Sequence, residues 1–128
     1  MHELPTHVRH AVIASSVAMA FILYLDRICL GEIVKSASFR AGMTLSKEQI
    51  GTVLGVFFLA YALCQVPSGW ASDRFGARRM LTIYILGWSA MTALTGLAGG
   101  FLGLLLARLG CGMFEAGAYP TCGAVIRR

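Results

Sequence analysis

Four long apolar segments dominate this sequence, and their length constrains the fold more than any other feature. They cover residues about 11–34, 50–71, 80–98 and 101–126. Each approaches the roughly 20 residues that a helix needs to cross a hydrocarbon core of about 30 Å. Because the backbone has no water to bond in lipid, each segment is predicted to be a helix. The sequence therefore predicts an all-α, integral membrane fold over residues 1–128.

The composition excludes two other classes of protein. Only 13% of the residues are charged, and 57% are hydrophobic. A disordered chain needs low hydrophobicity and high charge, and a soluble two-domain enzyme needs more charged surface. The sequence contains no nucleophile–base pair and no metal or cofactor motif, so we expect no enzyme activity and no cofactor.

The basic residues predict the orientation in the membrane. The net charge is +5, and the basic residues stand between apolar runs rather than on one polar face, which argues against nucleic acid as a partner. With the N-terminus inside, six basic residues face the cytoplasm and three face outward, which satisfies the positive-inside rule. We therefore expect a multi-pass protein of the cell membrane, most simply the bacterial inner membrane, with both termini cytoplasmic. The six inside residues are Arg9, Arg74, Arg78, Arg79, Arg127 and Arg128, and the three outside are Lys35, Arg40 and Lys47.

Four ionisable residues interrupt the first and fourth apolar segments. Asp26 and Arg27 lie in the first, and Arg108 and Glu115 lie in the fourth. A charge near the middle of a membrane costs about 2.5–3.5 kcal/mol, so such residues usually face the bundle interior and carry function. At about 1.5 Å per residue, Asp26, Arg27 and Arg108 fall in one layer, with Glu115 about 10 Å deeper on the same face as Arg108.

Two arginines beside two carboxyl groups predict a specific chemistry. Arg27 and Arg108 are candidates for binding an anionic substrate, because a guanidinium group matches a carboxylate. Asp26 and Glu115 are candidate proton carriers, because removal from water disfavours their charged forms. The alternative is a set of structural ion pairs, or snorkelling of Asp26 and Arg27 towards a helix end.

The connection after the second segment resembles a known family signature. Residues 69–79 read GWASDRFGARR, which resembles the loop between helices two and three of the major facilitator superfamily. Within it, Gly76 permits a tight turn, and Asp73 is expected near the start of the third helix, where the helix dipole favours an anion. The resemblance implies a cytoplasmic gate motif formed by Gly69, Asp73, Arg74, Gly76, Arg78 and Arg79.

Two further stretches resemble the anion:cation symporter branch of that superfamily. They are residues 24–27, YLDR, and residues 108–120, RLGCGMFEAGAYP. The branch includes transporters of hexuronates, galactonate, glucarate, aromatic acids, sialic acid and glutamate. The resemblance implies proton-coupled symport of a small organic anion, such as a sugar acid. It assigns anion recognition to Arg27 and Arg108, and proton coupling to Asp26 and Glu115.

The resemblance also implies that a larger fold surrounds these four helices. Members have twelve spans in two halves, with the binding site between them. Residues 1–128 are therefore expected to be a partial N-terminal domain, with the missing remainder of the transporter as a partner besides the lipid bilayer. Two alternatives stay open: a small four-span multidrug-type exporter that works as a dimer, and a non-transporting membrane subunit. In the exporter Asp26 would bind the cation, although Arg27 would repel it.

Overall fold

The computed structural model of this chain describes residues 6–127, so Arg128 of the predicted inside cluster lies outside the described residues. The described part consists of five α-helices joined by short connections. They are α1 Thr6–Lys35, α2 Ala37–Met43, α3 Lys47–Phe75, α4 Ala77–Leu97 and α5 Phe101–Arg127. Four of them, α1, α3, α4 and α5, are long and apolar enough to cross a membrane. The predicted all-α, four-span membrane fold is confirmed.

The start of α3 carries the capping box that its sequence indicates. The backbone N–H of Gln49 donates to Ser46 Oγ at 3.2 Å, and the backbone N–H of Ser46 donates to Gln49 Oε1 at 3.0 Å. These two bonds satisfy donors that the first helical turn would otherwise leave free. The helix therefore begins at Lys47, a few residues before the apolar run.

The connection between the first two spans is more ordered than a polar loop. Its middle forms the short helix α2, and Phe39 and Met43 on α2 pack against a core cluster at this end of the bundle. Phe39 and Met43 are four residues apart, so both side chains lie on one helical face. Their contact with the core cluster holds this otherwise polar segment against the bundle. The core cluster consists of Val34, Leu45, Ile50, Val53 and Leu104.

A single residue, Gly76, connects α3 to α4. Its φ is +94°, a backbone angle that side chains with a Cβ atom rarely adopt. The charged residues between the second and third apolar segments therefore belong to the ends of α3 and α4 rather than to a loop. So short a connection makes α3 and α4 antiparallel neighbours. We call this end of the bundle the Gly76 end, and the opposite one the α2 end.

The four spans do not pack equally. α5 packs closely against both α3 and α4, whereas α1 touches α5 over a much smaller area. Close packing on two sides gives α5 the central place, and the side chains it carries become the most buried in the bundle.

Candidate functional site

The structure brings together the four ionisable residues that the sequence singles out. Asp26 and Arg27 lie on α1, and Arg108 and Glu115 lie on α5. Arg108 and Glu115 are buried, at 3% and 2% exposure, which agrees with their predicted place on one face of the helix. The side chains of Asp26 and Arg27 keep 22% and 31% exposure.

These residues form two ion pairs that cross between the helices. The Nη2 of Arg27 on α1 lies 2.5 Å from Glu115 Oε1 on α5. The Nη2 of Arg108 on α5 lies 3.9 Å from Asp26 Oδ2 on α1. Each helix thus contributes one cation and one anion, and with all four ionised the formal charge of the site is zero.

The two pairs differ in closeness. Arg27 and Glu115 share a hydrogen bond, but 3.9 Å is too long for one between Arg108 and Asp26. Arg108 instead donates weakly to the Sγ of Cys111, at 3.6 Å. Within the described part of the chain, the Nε of both arginines has no hydrogen-bond partner. Arg108 is therefore a buried cation whose donors are only partly used.

Two aromatic side chains of α3, which the sequence analysis does not single out, complete the site. The Cζ atom of Arg27 lies 5.1 Å from the ring centroid of Phe57 and 5.3 Å from that of Tyr61. The Cζ atom of Arg108 lies 5.6 Å from the Phe57 centroid. All three distances are within the range of cation–π attraction. Phe57 and Tyr61 are four residues apart on α3, and this spacing is the one sequence signal that could have predicted that the two rings are neighbours.

Three glycines of α5 let the neighbouring helices approach the site. A Cβ atom on Gly112 would lie 2.5 Å from the carbonyl oxygen of Phe57. A Cβ atom on Gly110 would meet Met91, and one on Gly117 would meet the ring of Tyr84. Small residues allow such close contact between membrane helices. Gly112, which lies between Arg108 and Glu115, therefore fixes how near α3 lies to the charged pairs.

A cleft of about 290 Å³ opens beside the Arg108–Asp26 pair. Thr92 and Thr95 of α4 give it polar walls, and Cys29 of α1 lines the opposite side. Phe39 and Met43 of α2 also line it, so the cleft lies towards the α2 end. The buried guanidinium group of Arg108 therefore borders open space.

The predicted gate motif lies at the Gly76 end, away from the ion pairs. Gly69 faces α5, because a Cβ atom there would lie 3.6 Å from the Cβ of Pro120. Asp73 is exposed in the last turn of α3, so it comes just before the first turn of α4 rather than within it. The reason is that α3 continues to Phe75.

The arginines of this motif do not pair with Asp73 within the described residues. The Cζ atom of Arg74 lies 5.5 Å from the ring centroid of Trp70. Arg78 and Arg79 are exposed in the first turn of α4. The structure therefore gathers the six motif residues at one end of the bundle without an ion pair among them.

Comparison with known proteins gives the family of this chain and several relatives. The family profile of the Major Facilitator Superfamily matches residues 16–128. The chain is 37% identical over 113 residues to a probable sulfoacetate transporter of Cupriavidus necator, which covers 88% of this chain and 26% of that protein. It is 41% identical over 100 residues to a D-galactonate transporter of Escherichia coli, covering 78% and 23%. It is 39% identical over 107 residues to a probable L-galactonate transporter of Escherichia coli, covering 84% and 23%.

The chain spans about a quarter of the length of these curated relatives. The matched range nevertheless spans the positions of all four charged residues, both aromatic rings and the whole gate motif. With its four apolar spans, the chain is a multi-pass membrane protein, and it belongs to the major facilitator superfamily.

Proposed function

We propose that residues 1–128 form the first four spans of a proton-coupled transporter for a small organic anion, such as a sugar acid or another carboxylate. The observation that carries this proposal is the pair of crossed ion pairs between α1 and α5 in an apolar bundle. Relatives named for sulfoacetate and for galactonates support an anionic substrate. In this proposal the remainder of the transporter supplies the opposite wall of the site.

Arg108 is the first contact of the substrate in this scheme. It borders the cleft, is 3% exposed, and has donors to spare because Asp26 lies 3.9 Å away. A carboxylate or sulfonate group can accept two parallel hydrogen bonds from a guanidinium group. Arg27 supplies the second cation, once the substrate competes with Glu115 for it.

Charge balance then couples the substrate to protons. The empty site is neutral, because Arg27 and Arg108 balance Asp26 and Glu115. A monoanion would leave one uncompensated negative charge in an apolar environment, at a cost of about 2.5–3.5 kcal/mol or more. One proton on Glu115 or Asp26 restores neutrality. A monoanion should therefore enter with one proton, and a dianion with two.

The rest of the chain fits an orientation with both termini in the cytoplasm of a bacterial inner-membrane protein. The Gly76 end carries the arginines of the gate motif, and basic loops stay inside. Asp73 and its neighbours would then meet the cytoplasmic entrance. In this role the gate motif controls access to the ion pairs from the cytoplasm.

The test is uptake by proteoliposomes that contain the full-length transporter, with an imposed pH gradient and D-galactonate or sulfoacetate as the probe. Glu115→Gln should abolish accumulation of D-galactonate but spare its binding, because the variant site has one net positive charge that balances a monoanion without a proton, and both arginines remain. Arg108→Ala should lose binding itself, by a factor of 100 or more for a buried charge-assisted contact of about 3 kcal/mol.

The matched control is Glu32→Gln, which removes an exposed glutamate at the end of the same bundle. Glu32 pairs only with Lys35, and both side chains are about two-thirds exposed, at 68% and 66%. It should leave uptake unchanged. Accumulation of the probe against its gradient by Glu115→Gln would make Glu115 a structural partner of Arg27 and would overturn its role in coupling.

A further inference from the structure

One buried ring, that of Phe57, is in contact with both arginines of the site. Its centroid is 5.1 Å from the Cζ atom of Arg27 and 5.6 Å from that of Arg108. Phe57 is 4% exposed and belongs to α3, whereas the arginines belong to α1 and α5. The ring is therefore the point at which three helices share one contact.

No other aromatic ring within residues 6–127 has this double contact. Tyr61 stacks on Phe57 but faces only Arg27. Phe58 also approaches only Arg27, at 5.8 Å, and it is 55% exposed. Tyr61 and Phe58 are therefore aromatic neighbours of Phe57 on the same helix, but each of them contacts only one guanidinium group.

Close contact with α5 fixes the backbone position of Phe57. Gly112 lies so close to α3 that a Cβ atom there would stand 2.5 Å from the carbonyl oxygen of Phe57. Such contact leaves α3 little freedom to shift along α5. A planar side chain on a fixed backbone keeps its place far better than the long side chains of the arginines, which have several rotatable bonds.

The two guanidinium groups repel each other in a medium of low dielectric. The aromatic face attracts both of them, while Glu115 and Asp26 draw them towards opposite helices. The attraction of both cations to one ring thus limits how far apart they can move. An anion that contacts both arginines must match their separation.

We propose that Phe57 is a positioning residue that sets the separation of Arg27 and Arg108 and thereby selects anions by the distance between their charged groups. The proposal rests on the proposed function. Removal of the ring should let both guanidinium groups move, which weakens binding and blurs selection by length. Loss of one desolvated cation–π contact corresponds to about a tenfold rise in KM.

The experiment compares Phe57→Leu with Phe57→Tyr in the full-length transporter, and uses Phe58→Leu as the matched control. Uptake into proteoliposomes is measured for D-galactonate, D-glucarate and sulfoacetate, which differ in the number and spacing of their charged groups. Phe57→Leu should raise KM for the preferred anion about tenfold with little change in kcat, and should bring the kcat/KM ratios of the anions closer together. Phe57→Tyr keeps the ring and should keep the ratios, as should Phe58→Leu.

A second readout does not depend on transport. Ring currents shift the 15N resonances of arginine Nε, so Phe57→Leu should displace the signals of Arg27 and Arg108, and Phe58→Leu only that of Arg27. If Phe57→Leu does not fold, Phe57→Met replaces it, since it keeps similar volume without the ring. Unchanged kcat/KM ratios or an unmoved Arg108 signal would overturn the proposal. If the wild type carries none of the three anions, the proposed function fails, and the resonances alone decide the role of Phe57.

Discussion

α1 and α5 each contribute one cation and one anion to the site, yet the bundle holds them very differently. Half of the apolar span of α5 is buried, against 6% of that of α1. α5 reaches its neighbours through Gly110, Gly112 and Gly117. Within the described residues, α1 instead exposes a row of large apolar side chains, among them Val17, Phe21, Ile22 and Tyr24.

The contrast divides the site into a fixed half and an adjustable half. Arg108 and Glu115 are held on a helix that is packed on two sides. Asp26 and Arg27 reach them from a helix that makes few contacts with α3, α4 and α5, so we expect it to shift more easily against them. A transporter that alternates between two states needs both properties in one site, since a substrate must be recognised in a fixed frame and released by a change in distance.

The largest loss of stability should follow from removing Arg27, the α1 residue of the closer ion pair. Arg27→Ala leaves Glu115, at 2% exposure, as a buried charge without its hydrogen-bonded partner. Removal of one partner of a buried pair costs about 3–5 kcal/mol. We expect a marked fall in the thermal unfolding midpoint of the full-length protein in detergent.

The double variant Arg27→Ala with Glu115→Gln sharpens this test. It removes the stranded charge, so it should recover most of the lost stability. Arg9→Ala serves as the control, because Arg9 is an exposed arginine of the same helix. If Arg27→Ala unfolds at the same temperature as Arg9→Ala, the pair does not hold α1 to α5.

A matched pair of glycines tests the packing side of the comparison. Gly112→Ala places a methyl group against the backbone of α3 at Phe57, which should cost about 1–3 kcal/mol through overpacking. Gly31→Ala on α1 meets nothing within 4 Å and should stabilise the helix by up to about 1 kcal/mol. Unfolding of both variants in detergent provides the measurement. Equal shifts in one direction would contradict the division into a fixed and an adjustable half.

Much of this fold could be predicted from the sequence, because lipid leaves a chain few choices. Apolar length alone locates the four spans, and the offset of seven residues places Arg108 and Glu115 on one helical face. The capping box at Ser46 marks where α3 begins. These signals depend on residues that are close together in the sequence, so they can be detected without the tertiary structure.

The remaining features depend on contacts between helices, which local patterns do not specify. Gly51 and Gly55 have the spacing of a helix-packing motif, yet both face open space. Gly112 lies against α3, but no feature of the surrounding sequence distinguishes it from Gly51 and Gly55. In the sequence, Phe57 does not differ from other apolar residues. Only the packing of α1 and α5 brings an arginine of each helix to its ring. Apolar length also misses the last turn of α3, which contains Asp73, since charged residues at a membrane surface can extend a helix beyond its apolar run.

The smallest expected effect concerns two buried or half-buried hydroxyl groups that resemble each other in sequence. Thr121 on α5 shares a hydrogen bond with the hydroxyl of Ser72 on α3, and its Oγ1 also lies 2.6 Å from the carbonyl oxygen of Gly117, so its one proton serves either acceptor. Ser16 on α1 donates at 2.8 Å only to the carbonyl of Val12, within its own helix. Only the first hydroxyl therefore links two helices.

Thr121→Val keeps the shape of the side chain and removes the link, so it should cost about 0.5–1.5 kcal/mol, the net value of one hydrogen bond. The cost stays small because Ser72 still donates to the carbonyl of Ser68 at 2.9 Å. Ser16→Ala should be neutral or slightly stabilising, because alanine favours the helix and no other element loses a bond. Thermal unfolding of the two variants in the same detergent decides the matter. A larger loss for Ser16→Ala than for Thr121→Val would mean that α1 is held as firmly as α5, and the adjustable half of the site would have to be sought on another helix.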